Sequence, residues 1–139
     1  MKEGWSSDGD YFILFEEGEQ SETAERYQLP DLLPGFELLG LRGWEEFLVR
    51  GVDGQIFAVP VVPIAAAQLV PAELPPENSA LEADPGLVGR IKWHINPLIF
   101  GGDPTSDANV SWVSHQQHCE LVRWWNAQYA QAVASQLGA

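Results

Sequence analysis

Hydrophobic and polar positions divide the chain into a β-rich first half, a proline-broken middle and one long amphipathic segment near the C-terminus. Tyr11-Phe12-Ile13-Leu14-Phe15 is an apolar run set among acids, and it predicts a short strand. The stretch from about Glu16 to Tyr27 has an apolar stripe too thin for an amphipathic helix, so it reads as a solvated acidic loop. Gln28 to Gly35 contains Pro30 and Pro34, which predicts a turn or one helical turn with Leu32 and Leu33 plugged into the core. Phe36 to Trp44, Glu46 to Arg50 and Gln55 to Val59 are strand-like. Asp53-Gly54 between the last two is the strongest hairpin signal in the chain. These runs predict a three-stranded antiparallel meander from Phe36 to about Val62.

Residues 63–89 hold five of the ten prolines, an Ala-Ala-Ala-Gln stretch and the acids Glu73, Glu77, Glu82 and Asp84. They read as a connector with at most one short helix, not as a second domain. Ile91 to Ile95 predicts another strand, Asn96-Pro97 a turn, and Leu98 to Pro104 a short apolar run that stops at a glycine pair. Ser114 and Gln117 have the spacing of a capping box. Beyond them His118, Leu121, Val122, Trp125, Tyr129, Ala132 and Val133 recur at helical spacing, with Arg123 opposite and Gly138 as the stop. The expected architecture is a single α+β domain over residues 1–139. A curved, mainly antiparallel sheet packs against helices, including a long C-terminal one.

Charge then narrows the function. Twenty acids against seven bases give a formal charge of −13, and residues 1–25 alone carry eight acids and one base. Such a field repels phosphate backbones and anionic membrane surfaces, so nucleic acid and membrane are excluded as partners and a basic protein is favoured. A single cysteine, Cys119, makes no internal disulfide. The first residues lack a basic segment followed by an apolar one, and the most apolar run, Ile56 to Ala67, is broken by Pro60 and Pro63. The expectation is a cytoplasmic protein.

Candidate chemistry is sparse. His115-x-x-His118-Cys119 places two histidines one turn apart, but Cys119 lies about a hundred degrees round the helix from His118, so a shared ion is disfavoured against a core histidine and a small buried thiol. Cys119 with His94 and Asp103 makes a nucleophilic triad only on paper, because Cys119 sits inside a helix and not at its N-terminus. Phe100 to Pro104 lacks the lysine of a phosphate loop, and Glu45-Glu46 would point to opposite faces of a strand. No catalytic residue, cofactor or metal is expected. Six tryptophans are the remaining signal: Trp44 and Trp125 suit a core, whereas Trp124, at the edge of the helical stripe, is expected to be partly exposed and to anchor a partner.

Leu29-Pro30-Asp31-Leu32-Leu33, followed by strand, glycine-bearing turn and strand, resembles the SUKH superfamily of fungal cell-wall-assembly regulators and bacterial immunity proteins. Gly43-Trp44, Gly51-Val52-Asp53-Gly54 and the long loop after Val62 are compatible with it. The resemblance covers mainly residues 27–65. The family carries an amphipathic helix ahead of the Leu-Pro step, where this chain reads as strand and acidic loop. The resemblance implies a non-catalytic α+β binding domain that occludes a polymorphic toxin, such as a nuclease with a basic cleft. Candidate partner-binding residues are then Glu16, Glu17, Glu19, Glu73, Glu77, Glu82 and Trp124. Two other readings stay open: a small ligand-binding or metal-dependent enzyme domain centred on His94, His115 and His118, and a regulatory or structural protein with no toxin partner.

Overall fold

Six strands follow one another in chain order, each antiparallel to the last: β1 (Lys2–Trp5), β2 (Tyr11–Leu14), β3 (Glu37–Arg42), β4 (Glu46–Arg50), β5 (Ile56–Pro60) and β6 (Val70–Pro71). A separate two-stranded ribbon joins β7 (Ile91–His94) to β8 (Val110–Val113), and the helices are α1 (Glu17–Arg26), α2 (Leu29–Leu32) and α3 (His115–Leu137). The computed structural model describes residues 1–75 and 81–137, with side chains as far as residue 135. The fold is α+β, with an antiparallel sheet and a long C-terminal helix.

Alternation along the strands builds two apolar layers. Tyr11, Ile13, Leu38, Leu41, Phe47, Val49 and Val59 face the main core, which Tyr27, Leu29, Leu33, Trp93 and Val122 close from the helical side. Phe12, Leu39, Leu48 and Ala58 face the other way and are packed by Leu14, Ile56, Ala72, Leu74 and Leu81. Strand β4 therefore has no polar side: Phe47, Leu48 and Val49 are all fully buried. The proline-rich connector contributes the cover on the second face.

The meander from Phe36 to Val62 is present, with its tight turn at Gly51–Gly54, where the Gly54 N–H donates to the Gly51 carbonyl at 3.0 Å. It is one half of a longer sheet. Strand β1 pairs with β2 in a segment that reads from sequence as acidic loop, because three of its four positions are partly or fully exposed. Strand β8 is also invisible to periodicity, since none of its residues is buried. At Gly40 the register of β3 shifts, and an added Cβ would run into the Ile13 backbone carbonyl.

Residues 17–26 are a helix, which corrects the acidic-loop reading of that segment. Only Ala24 within it is buried, so the stripe is thin as the sequence suggests, and the N-terminal turn supplies what the stripe lacks. The Glu19 carboxylate accepts the Glu16 backbone N–H at 2.8 Å, Gln20 donates to the Phe15 carbonyl at 3.1 Å, and Glu17 and Glu19 sit at the positive end of the helix dipole.

Helix α3 starts where its capping box predicts. Gln117 N–H donates to Ser114 Oγ at 3.2 Å, and Ser114 N–H donates to Gln117 Oε1 at 2.9 Å. His118, Cys119, Val122 and Asn126 form its buried stripe, while Leu121, Trp125 and Tyr129 are half-buried and Ala132 is exposed. The stripe is rotated toward Cys119 relative to the sequence reading, because Asn126 takes a core position that hydropathy assigns to the surface. Gly138 lies outside the described residues.

Candidate functional site

The acids expected to bind a partner fall into separate places. Glu16, Glu17 and Glu19 stand at the start of α1, on the helical side of the sheet. Glu16 and Glu19 also pair with the Met1 amino group, at 3.5 and 2.8 Å. That ammonium and the Glu16 N–H hold the Glu19 carboxyl below its usual range. Glu73 is exposed in the connector between Ala72 and Leu74, which pack on the opposite face. Glu82 bridges the outer edge of β1, exchanging two backbone hydrogen bonds of 2.8 Å with Trp5. Glu77 lies outside the described residues. Among the described residues these candidate acids therefore lie on more than one face and not in one patch.

The three histidines do different things. His118 is fully buried, with Nδ1 2.6 Å from the Tyr27 hydroxyl and its ring edge-on to Trp93 and Phe47. Burial, with the nearby His115 in second place, pushes its pKa down to about 3, so at neutral pH it is an uncharged core residue. His115 is lowered by burial as well. Burial also pushes the Cys119 thiol up, which keeps it protonated and unreactive. Asp103 binds its own loop, accepting the Thr105 N–H at 2.9 Å and hydroxyl at 2.8 Å. Among the described residues no group of three or more His, Cys, Asp or Glu side chains could hold a metal ion.

His94 stands apart from the other two. It lines a groove of about 440 Å³ where the β3–β4 turn and the end of β5 meet β7 and the loop that follows it. Trp44, Glu45 and Glu46 form one wall; Pro60 to Pro63 form the floor. Lys92, Trp93 and His94 come from β7, and Pro97, Leu98 and Ile99 close the far side.

Local structure explains the groove. Gly43 and Trp44 both have φ of 63°, a left-handed pair that reverses the chain in three residues. Trp44 tolerates that conformation because its ring stacks on Tyr11 at 4.8 Å and meets Trp112 and Trp5 edge-on. The floor is tied to α3 through Asn126. Glu45 is half-exposed, and its nearest basic neighbour among the described residues is His94 Nδ1 at 3.8 Å. Glu46 is already held by Arg42 at 2.8 Å.

Beside this groove runs an apolar strip. Ile95, Leu98 and Ile99 are exposed on the loop after β7, and Phe100 packs on Trp125 at 5.1 Å. Trp125 in turn meets Trp124, which is 55% exposed, as expected of the edge of the helical stripe. Trp44 and Trp125, expected in the core, are half-buried and pack against it. The sequence contains the signal for the loop part of this surface, three large aliphatics around the Asn96-Pro97 turn, but not its union with Trp124 across the fold. Set against known proteins, the chain matches no family model, no curated protein and no solved structure.

Proposed function

We propose that this chain is a non-catalytic, cytoplasmic protein-binding domain of the immunity type, which covers the basic active surface of a toxin. One observation carries the reading: a strip of exposed large apolar side chains, Ile95, Leu98, Ile99 and Trp124, on a domain of net charge −13. Exposed large apolar side chains, linked across the fold through Phe100, Trp125 and Trp124, mark a place where a protein docks, and the surrounding negative charge selects a cationic one. The position of helix α1, directly ahead of Leu29-Pro30, gives further support, since the SUKH resemblance implies a helix at that point, although α1 buries only Ala24. The test is capture from the native cytoplasm with the chain and with an Ile99→Asp/Trp124→Asp variant as baits. A basic protein held by the first and lost by the second, whose toxicity on expression is suppressed by this chain, is the expected result. No such protein, or equal capture by both baits, overturns the reading.

The groove beside His94 supports a second reading, binding of a small molecule, because its volume lies in the range of ligand pockets. Cell-extract metabolites that co-purify with the chain in stoichiometric amount, and that a Trp93→Ala variant releases, would favour it over a protein partner.

A further inference from the structure

We infer that the groove beside His94 is the seat of one arginine side chain presented by the protein partner, with its guanidinium on Glu45 and its stem between Trp44 and Leu98-Ile99. This rests on the protein-binding reading, and it names the anchor that such a partner inserts.

Two observations point to it. Of the four buried side-chain nitrogens without a hydrogen-bond partner among the described residues, two belong to residues that line this groove: Trp44 Nε1, a donor, and His94 Nε2. Buried polar atoms are mostly paired, and these two give an occupant hydrogen bonds to complete; the other two orphans, His115 Nε2 and His118 Nε2, belong to residues away from the groove. A hydrocarbon occupant leaves both unpaired. A peptide segment supplies a carbonyl for the indole N–H and, if its side chain is arginine, a guanidinium N–H for the imidazole. Both nitrogens have no exposed surface in the free protein, so an occupant pairs with them only when the lining rearranges around it.

The second observation is Glu45, a half-exposed carboxylate at the groove's rim whose nearest basic group is an imidazole and not a lysine or arginine. Lys92 is the lone cation in the lining against two carboxylates, and the −13 field of the whole chain disfavours an anionic occupant. Arginine satisfies the apolar walls and the carboxylate together, because its long stem packs while its planar head makes charge-assisted bonds.

The experiment titrates the chain with capped glycyl-arginyl-glycinamide and with the citrulline analogue, an uncharged near-isostere, following the tryptophan indole N–H signals by NMR. The arginine probe is expected to shift the Trp44 and Trp93 signals and to bind about tenfold more tightly than the citrulline probe. Glu45→Gln should erase that difference while leaving the spectrum otherwise unchanged, and Glu25→Gln, at an exposed carboxylate outside the groove's lining, should preserve it. Equal affinity for both probes, no shift at these two indoles, or preference for an aspartyl probe that Lys92→Gln abolishes would each overturn the arginine seat. Capture of a basic protein that survives Glu45→Gln but not Ile99→Asp/Trp124→Asp overturns the seat alone and leaves the protein-binding reading standing.

Discussion

Asn126 on α3 accepts the Ile64 backbone N–H at 2.8 Å, and its amide nitrogen donates to the Val61 and Val122 carbonyls at 2.8 Å each. One buried side chain thus ties the floor of the groove to the long helix. Because backbone polar groups stranded in a core cost about 1–3 kcal/mol each, Asn126→Leu should destabilise the domain by about 2–4 kcal/mol in urea denaturation. It should also broaden the NMR signals of residues 61–64. A loss below about 0.5 kcal/mol would mean that water replaces the amide without penalty.

His118 makes stability depend on pH above the carboxylate range. Its folded pKa of about 3 lies below the unfolded value near 6.5, so the unfolded chain binds the proton first. The contribution is complete above pH 6.5 and is lost as pH falls through the window from 6.5 to 3, by about 1.4 kcal/mol per pH unit where the two states differ by a full proton. His115, lowered in the same direction, adds to it. Between pH 6.5 and 5, carboxylates contribute little, so His118→Gln should flatten the decline of the urea midpoint in that interval. Identical slopes for the two proteins would count against the assignment.

Helix α3 separates packing from exposure along one surface. Val122 is fully buried, and Val122→Ala should cost about 2–3 kcal/mol, the loss of two methyl groups plus the cavity left behind. Trp124 is mostly exposed, and Trp124→Ala should stay within about 0.5 kcal/mol of the parent. Chemical denaturation of the two variants measures both. A large loss from Trp124→Ala would show that the ring supports the fold rather than a partner.

The turn glycines give a local contrast. Gly54 has φ of 85° with nothing within 4 Å of an added Cβ, so Gly54→Val carries only the conformational penalty of a β-branched residue, about 1–2 kcal/mol. Gly40→Ala must instead push its Cβ into the Ile13 carbonyl across the β2–β3 pair, and should destabilise more than Gly54→Val despite adding a smaller side chain. Thermal unfolding of both variants decides this. The reverse order would mean that the β3 bulge relaxes freely.

Elements whose signals are local were legible in the sequence. Asp53-Gly54 places the hairpin and Ser114 with Gln117 places the start of α3, because turn chemistry and capping act over two or three residues. Strands β1 and β8 were not legible, since they pair in the backbone while exposing much of their side chains. Helix α1 escaped for a related reason: cap, dipole and a few contacts hold it, and periodicity registers only its single buried alanine. The site was the least visible part. Trp44, Lys92 and Ile99 lie far apart in the chain, and only the closure of the ribbon onto the meander makes them one groove.

The acids remain the lever on association rate, but the structure changes which of them provide a clean test. Reversing Glu16 and Glu19 to lysine would remove the ion pairs with the Met1 amino group and the side-chain bond to the Glu16 N–H, and would set cations at the positive end of α1. That pair should lower stability by about 1–2 kcal/mol, through the cap and the dipole together. Glu25, Glu73 and Glu82 are exposed, lie outside the first turn of α1 and take no part in the ion pairs among the described residues, so their reversal to lysine isolates the field from the fold. The triple variant changes net charge from −13 to −7, two units at each of three sites. With a captured basic partner, its association should slow and its dependence on salt should flatten, because long-range attraction sets the encounter rate and salt screens it. Dissociation should change little, since that rate belongs to the buried anchors. Stopped-flow association at low and high ionic strength, with a thermal melt as control, reads all three quantities. Equal rates and equal salt slopes for parent and variant would confine the acidity to solubility.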